Sequence, residues 1–222
     1  MCYSAESSIN NYGLGVALST GLFLLGNKYD KHFAFFLFFV IQIQLLEYFM
    51  WKDQKCGIVN KIATVAANAL LFLQPLVVIY GGYMFDTLTI SKSLLLQISY
   101  IYLFLVIIGM IYKYYNAKKI CAKAPDGFLV WFGKNSGGIL DSSIIGKLAN
   151  FTYFFFMFVP WLFMKNIQTG IVCFLLVFGS FVIHFIYHNK GFEWQTKWCF
   201  YTIISTVLYI LYKITTIVME NA

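Results

Sequence analysis

Glu47 is a carboxylate in the run Phe33–Trp51, which is apolar apart from Gln42, Gln44 and Tyr48. An ionisable group at the centre of a membrane helix costs about 2.5–3.5 kcal/mol on insertion scales and less near the ends, so it must be held by a partner or stay protonated. Gln44, Glu47 and Trp51 fall at i, i+3 and i+7 and share one helix face. Later in the chain, Cys173, Ser180, His184 and His188 fall within about 60° of one another at helical spacing. His-x-x-x-His on one helix lets two imidazoles share a metal, and Glu47 on a neighbouring helix could complete a zinc or other transition-metal site. The same polar stripes could line the path of an ion or small solute. Equally, His188 precedes Asn189-Lys190-Gly191, a helix stop, and an interfacial helix end looks the same.

Three further constellations stand beside this pair. Gln74-Pro75 interrupts an apolar run, where the ring frees a carbonyl one turn earlier; Gln74 can line a polar cavity or satisfy that carbonyl. Glu193-Trp194-Gln195-Thr196-Lys197-Trp198-Cys199 places an anion at a helix start, four residues before a lysine, with tryptophans suited to the aromatic belt. Lys213 lies in the last apolar run and invites a retinal Schiff base, but Glu47 and Lys213 lie about 6 Å and about 26 Å from the same membrane face. Glu47 cannot be its counter-ion, and Lys213 can extend its ammonium to the opposite surface, so depth argues against retinal.

The elements that must position these groups are membrane helices. Sixty per cent of the 222 residues are hydrophobic and only 11% are charged, where soluble domains carry about a quarter charged. Seven apolar runs are long enough to cross a core about 30 Å thick, at about residues 8–26, 33–51, 62–84, 94–113, 144–164, 169–188 and 196–218. They predict an all-α, polytopic membrane protein: one seven-transmembrane-helix domain over residues 1–222, with the lipid bilayer as its partner. Gly13, Gly15, Ala17, Ser19 and Gly21 give the first helix a small-residue packing face, and a homo-oligomer stays open. The apolar patch Phe128–Phe132, too short to span, is expected to lie in the interface. The net charge of +7 comes with no compact basic run, so it implies no nucleic-acid partner. The first residues lack a basic stretch, and the first run is expected to stay as a span.

With seven spans, eleven of the sixteen lysines fall on the side of the N-terminus, here face A, and five on face B. That bias places the N-terminus in the cytoplasm. Cys2, Cys56, Cys121 and Cys199 also fall on face A, as two disulfides in an oxidising compartment or a thiolate metal site in a reducing one. The lysine bias and the disulfide reading conflict.

Met1-Cys2-Tyr3-Ser4-Ala5, Glu47, Asp53-Gln54-Lys55-Cys56, Gln74-Pro75, Cys121 with Gly127 and Trp131, and Glu193-Trp194 with Trp198-Cys199 together resemble a family of multi-spanning membrane proteins. Its members, in bacteria, fungi and giant DNA viruses, begin Met-Cys-(Trp/Tyr)-Ser-Ala, and the lysine-only basic composition is most like the viral branch. The chain departs from the pattern at Lys55, an extra residue before Cys56, and at Phe128–Val130, where some members carry a histidine. The resemblance implies a shared seven-helix fold and face-A cluster but no activity. Three classes follow: a small channel or transporter using Gln44, Glu47, Gln74 and the sixth-helix stripe; a metal-dependent intramembrane enzyme using His184, His188 and Glu47; or a structural membrane protein. The enzyme would share the general logic of seven-helix zinc hydrolases, without their further histidine and paired acids. The first is favoured, with Glu47 held in a polar cluster by Gln44, His184, His188, Trp194 and Trp198.

Overall fold

Each of the first three helices starts where the sequence supplies an oxygen for its unpaired N–H groups. Ser4 Oγ accepts from Ser7 N at the start of α1 (Ala5–Leu25). At α2 (Lys28–Lys52), Asn27 accepts from the N–H groups of Tyr29 and Asp30 while Asp30 accepts from Asn27 N, a reciprocal capping box. At α3 (Ile58–Phe85), Asp53 does the capping from four residues back, accepting from Gly57 N and Asn60 N. The chain reaches that geometry through a left-handed Cys56 (φ 61°). Four more helices follow: α4 (Lys92–Asn116), α5 (Ile144–Phe158), α6 (Ile167–Tyr187) and α7 (Trp194–Glu220). The structure, a computed structural model, describes residues 4–116, 120–124, 129–131, 144–187 and 194–220. Over these the chain is all-α but for one two-stranded antiparallel hairpin, β1 (Ala122–Lys123) with β2 (Val130–Trp131).

Three helices, Lys28–Lys52, Ile58–Phe85 and Lys92–Tyr112, are long and apolar enough to cross a membrane. Polar residues in the first half of α1, Glu6, Ser7, Ser8, Asn10 and Asn11, lower its hydropathy. Pro160 turns the end of α5 into a 3-10 segment, Val159–Phe163, while α6 and α7 run over 21 and 27 residues.

α2 is the axis of the fold, flanked by α1 and α3 and touching α7. Phe33, Phe36, Val40, Ile43 and Met50 on it have no exposed surface. α3 continues through Pro75 and carries α4 and α5 on its other sides. α4 is the outermost element, leaving Ile101, Phe104 and Ile111 each more than 60% exposed. Such a continuous apolar face is untenable in water and ordinary against lipid.

Gly15 sits where any Cβ would overlap Ile41, so α1 and α2 approach closely there, while Gly13 and Gly21 meet nothing. The small-residue face is thus used on one side only. Leu129, Val130 and Trp131 are buried in the hairpin. Of the patch Phe128–Phe132, the described residues are Leu129–Trp131: Leu129 and Trp131 join the core, and the strand pairing satisfies backbone groups that a free segment would leave to water.

Candidate functional site

Glu47 lies on the buried face of α2 with no exposed surface, and Gln44 Nε2 donates to its Oε2 at 3.0 Å. The i, i+3 reading of these two residues therefore describes a real pair. Trp51, one turn on, is half-buried, and its indole N–H has no hydrogen-bond partner among the described residues. Gln74 is buried in α3, where its Oε1 accepts from Tyr153 Oη of α5 at 2.8 Å. Counted along α2 and α3 from the Asp53 turn, Gln74 sits about 16 Å deeper than Glu47.

The remaining members of the expected cluster divide by what is described. His188, Glu193 and Cys2 lie outside the described residues; His184, Trp194, Trp198 and Cys199 lie on α6 and α7, and their side chains are outside the description too. Among the described residues no group of three His, Cys, Asp or Glu side chains could hold a metal ion.

The cysteines are partly resolved: Cys56 and Cys121 form a disulfide, with Cα atoms 5.5 Å apart. Next to it, Asn60 is fully buried and binds both backbone groups of Ala122, donating to its carbonyl at 2.9 Å and accepting from its N–H at 2.8 Å. The same amide donates to the carbonyls of Met50 and Asp53, the last turn of α2. Gln54 accepts from Ala124 N. Two side chains thus act as a third strand for the hairpin, fixing it over the junction of α2 and α3.

A second polar layer lies at the other end of α2. Asp30, its carboxylate only 3% exposed, receives Asn27 N–H on Oδ2 and both Tyr209 Oη (2.7 Å) and Lys213 Nζ (3.2 Å) on Oδ1. Lys213 thus ends on a buried carboxylate, Asp30, and not in solvent. Two residues on, His32 is fully buried between Thr87 Oγ1 (2.7 Å, at Nδ1) and the Val78 carbonyl (2.8 Å, at Nε2), with the Trp161 ring 4.9 Å away. A carbonyl only accepts, so the neutral ring carries its proton on Nε2 and accepts a hydrogen bond from the Thr87 hydroxyl at Nδ1. Both nitrogens are used and a Cβ at Gly81 would overlap the ring. His32 therefore locks α2 to the end of α3 and has no lone pair left for a metal.

Outside the bundle, Asp86 and Lys165 pair at 2.8 Å beside an isolated bridge from Leu88 to Met164, joining the α3–α4 turn to the α5–α6 turn. Lys165's hydrogen bond holds the Asp86 carboxyl below its ordinary value.

Asp30, His32 and Asn60 were missed in the sequence because their partners lie 46 to 183 positions away, at Val78, Thr87, Ala122, Tyr209 and Lys213. One local signal was present, Asn27-x-x-Asp30, the spacing of a capping box. No protein-family profile, curated protein or solved structure matches the chain.

Proposed function

We propose that the chain is a multi-pass membrane protein, a seven-helix bundle of the Met-Cys-(Trp/Tyr)-Ser-Ala kind, that passes a small ion or solute along a path using Glu47. One observation carries this reading. A carboxylate with no exposed surface, hydrogen-bonded by a neutral amide, sits in a helix long and apolar enough to cross a membrane. Buried acids in such helices are costly and mark ion and proton paths by default. Gln44 supports either protonation state, because its amide donates to the charged carboxylate and its carbonyl can accept from the protonated one.

The test is flux through liposomes holding the purified full chain, read with pH and cation indicators. Glu47→Gln keeps the shape and removes the charge, and is expected to cut flux at least about a hundredfold, the lower end of what a lost proton-transferring group costs. Gln44→Leu should fall between the two. Equal flux in wild type and Glu47→Gln overturns the proposal, as does a wild type without flux. In the latter case, stoichiometric zinc in the purified chain that disappears in a His184→Ala, His188→Ala variant would establish the metal-enzyme reading in its place.

A further inference from the structure

We infer that the cleft between α1 and α7 holds the acyl chain of an anionic phospholipid from the surrounding leaflet, with the lipid phosphate on Lys213. The inference rests on the reading of the chain as a membrane protein and adds a ligand at a place distinct from Glu47. The cleft measures about 400 Å³ and is walled by Ala17, Gly21 and Leu25 from α1 and by Ile210 and Ile214 from α7. Volumes of about 300–1,000 Å³ are ordinary for small-ligand sites. Its charged groups are Asp30 and Lys213, paired at 3.2 Å.

Depth suits a headgroup there. Asp30 is the third residue of α2, so the pair lies one turn from that helix's end, where lipid phosphates meet a bilayer's surface. Charge suits an anion. The Asp30 carboxylate is covered by the Asn27 N–H, the Tyr209 hydroxyl and the positive end of the α2 dipole, which together disperse its charge. Lys213 spends one of its three N–H donors on Asp30 Oδ1, and its side chain keeps 22% of its surface exposed.

The walls suit an alkyl chain. A Cβ at Gly21 would meet nothing within 4 Å, whereas one at Gly15, on the same helix, would overlap Ile41. The opening is therefore local to the α7 side, where a tail packs against small residues without opening a polar contact. A zwitterionic lipid would bring its own cation to Lys213 and lose that attraction.

The full chain, extracted in mild detergent after exchange into bilayers of equal phosphatidylglycerol and phosphatidylcholine, is analysed by native mass spectrometry for retained lipid. The expected result is one phosphatidylglycerol per chain, favoured over phosphatidylcholine by about fivefold, the worth of one lysine at a charged surface. Gly21→Leu fills the cleft without touching charge and should abolish retention at an unchanged melting temperature; Ala17→Leu does the same if Gly21→Leu does not fold. Lys213→Gln keeps a donor for Asp30 and should keep a lipid while bringing the preference to parity. Retention unchanged in both cleft-filling variants, equal retention of the two lipids by wild type, or no retained lipid overturns the inference. Failure of the membrane reading is separately visible, as release of the wild-type chain from membranes by alkaline carbonate.

Discussion

At the scale of single residues, Asn60 shows how one amide replaces a strand. The last turn of α2 and β1 both end in backbone groups with no helical or sheet partner on that side. Asn60 supplies them from one buried side chain, whose Oδ1 also accepts from the Thr64 hydroxyl. Gln54 Nε2 and Cys56 N–H still reach the Met50 and Asp53 carbonyls without it, but the N–H and carbonyl of Ala122 would be left buried and unsatisfied on that side, at about 1–3 kcal/mol each. Asn60→Ala should therefore cost about 2–4 kcal/mol in reversible unfolding in detergent and expose the segment 120–131 to protease first. Asn60→Asp should not rescue it, since the carboxylate can accept from Ala122 N–H but donates to none of the three carbonyls. A melting curve within about 0.5 kcal/mol of wild type for Asn60→Ala would show that the hairpin is held by other means. None of this was legible in advance, because Asn60 reads as loop until its partner Ala122, 62 residues away, is in place. Asp30 and His32 were hidden for the same reason: each sits in the polar edge of an apolar run, where solvent is the default partner.

At the scale of elements the sequence is far more legible. All seven apolar runs are helices whose ends differ from expectation by a few residues, because long apolar runs between charged turns bury their backbone groups, and a helix pairs those groups within one segment. The element the sequence leaves unread is the hairpin. Nothing in Leu129–Trp131 alone marks a docked strand; what docks it lies in Asn60, Gln54 and Cys56, which belong to another part of the chain. Crosslinking Cys56 and Cys121 closes a loop of 65 residues. Loops of that length gain about 2–4 kcal/mol from a disulfide by restricting the unfolded chain. A Cys56→Ser, Cys121→Ser double variant should lose about that much, measured against wild type under oxidising conditions. Reductant should lower the wild type to the variant's level and leave the variant unmoved. Because Asn60 holds the same segment, its substitution and the cysteine substitutions should be non-additive. A sum within about 0.3–0.5 kcal/mol of the single losses would separate the two anchors.

At the scale of the whole molecule, the two ends of α2 are different in kind. One end carries the Cys56–Cys121 disulfide and the Asn60 clamp, and the other carries the Asp30–Lys213 pair and the Asp86–Lys165 pair. If each helix crosses once, the disulfide end shares face A with the N-terminus, where eleven of sixteen lysines also fall. Lysines near short cytoplasmic loops orient membrane proteins, yet here the long α4–α5 connection supplies much of the excess, which weakens the bias. Structural disulfides persist in oxidising compartments and are disfavoured in the cytosol. The disulfide therefore outweighs the lysine count, and face A is expected to lie outside the cytoplasm, with the α7 end inside. Glycosylation sequons decide this in a microsomal translation system: one placed between Phe132 and Asp141, the other in a tag after Ala222. The first should be modified and the second not, and alkylation of Cys56 and Cys121 should require prior reduction. Modification of the tag alone, with thiols at Cys56 and Cys121 that react without reductant, would restore the orientation the lysines favour. It would also remove the oxidising compartment on which the disulfide's persistence depends.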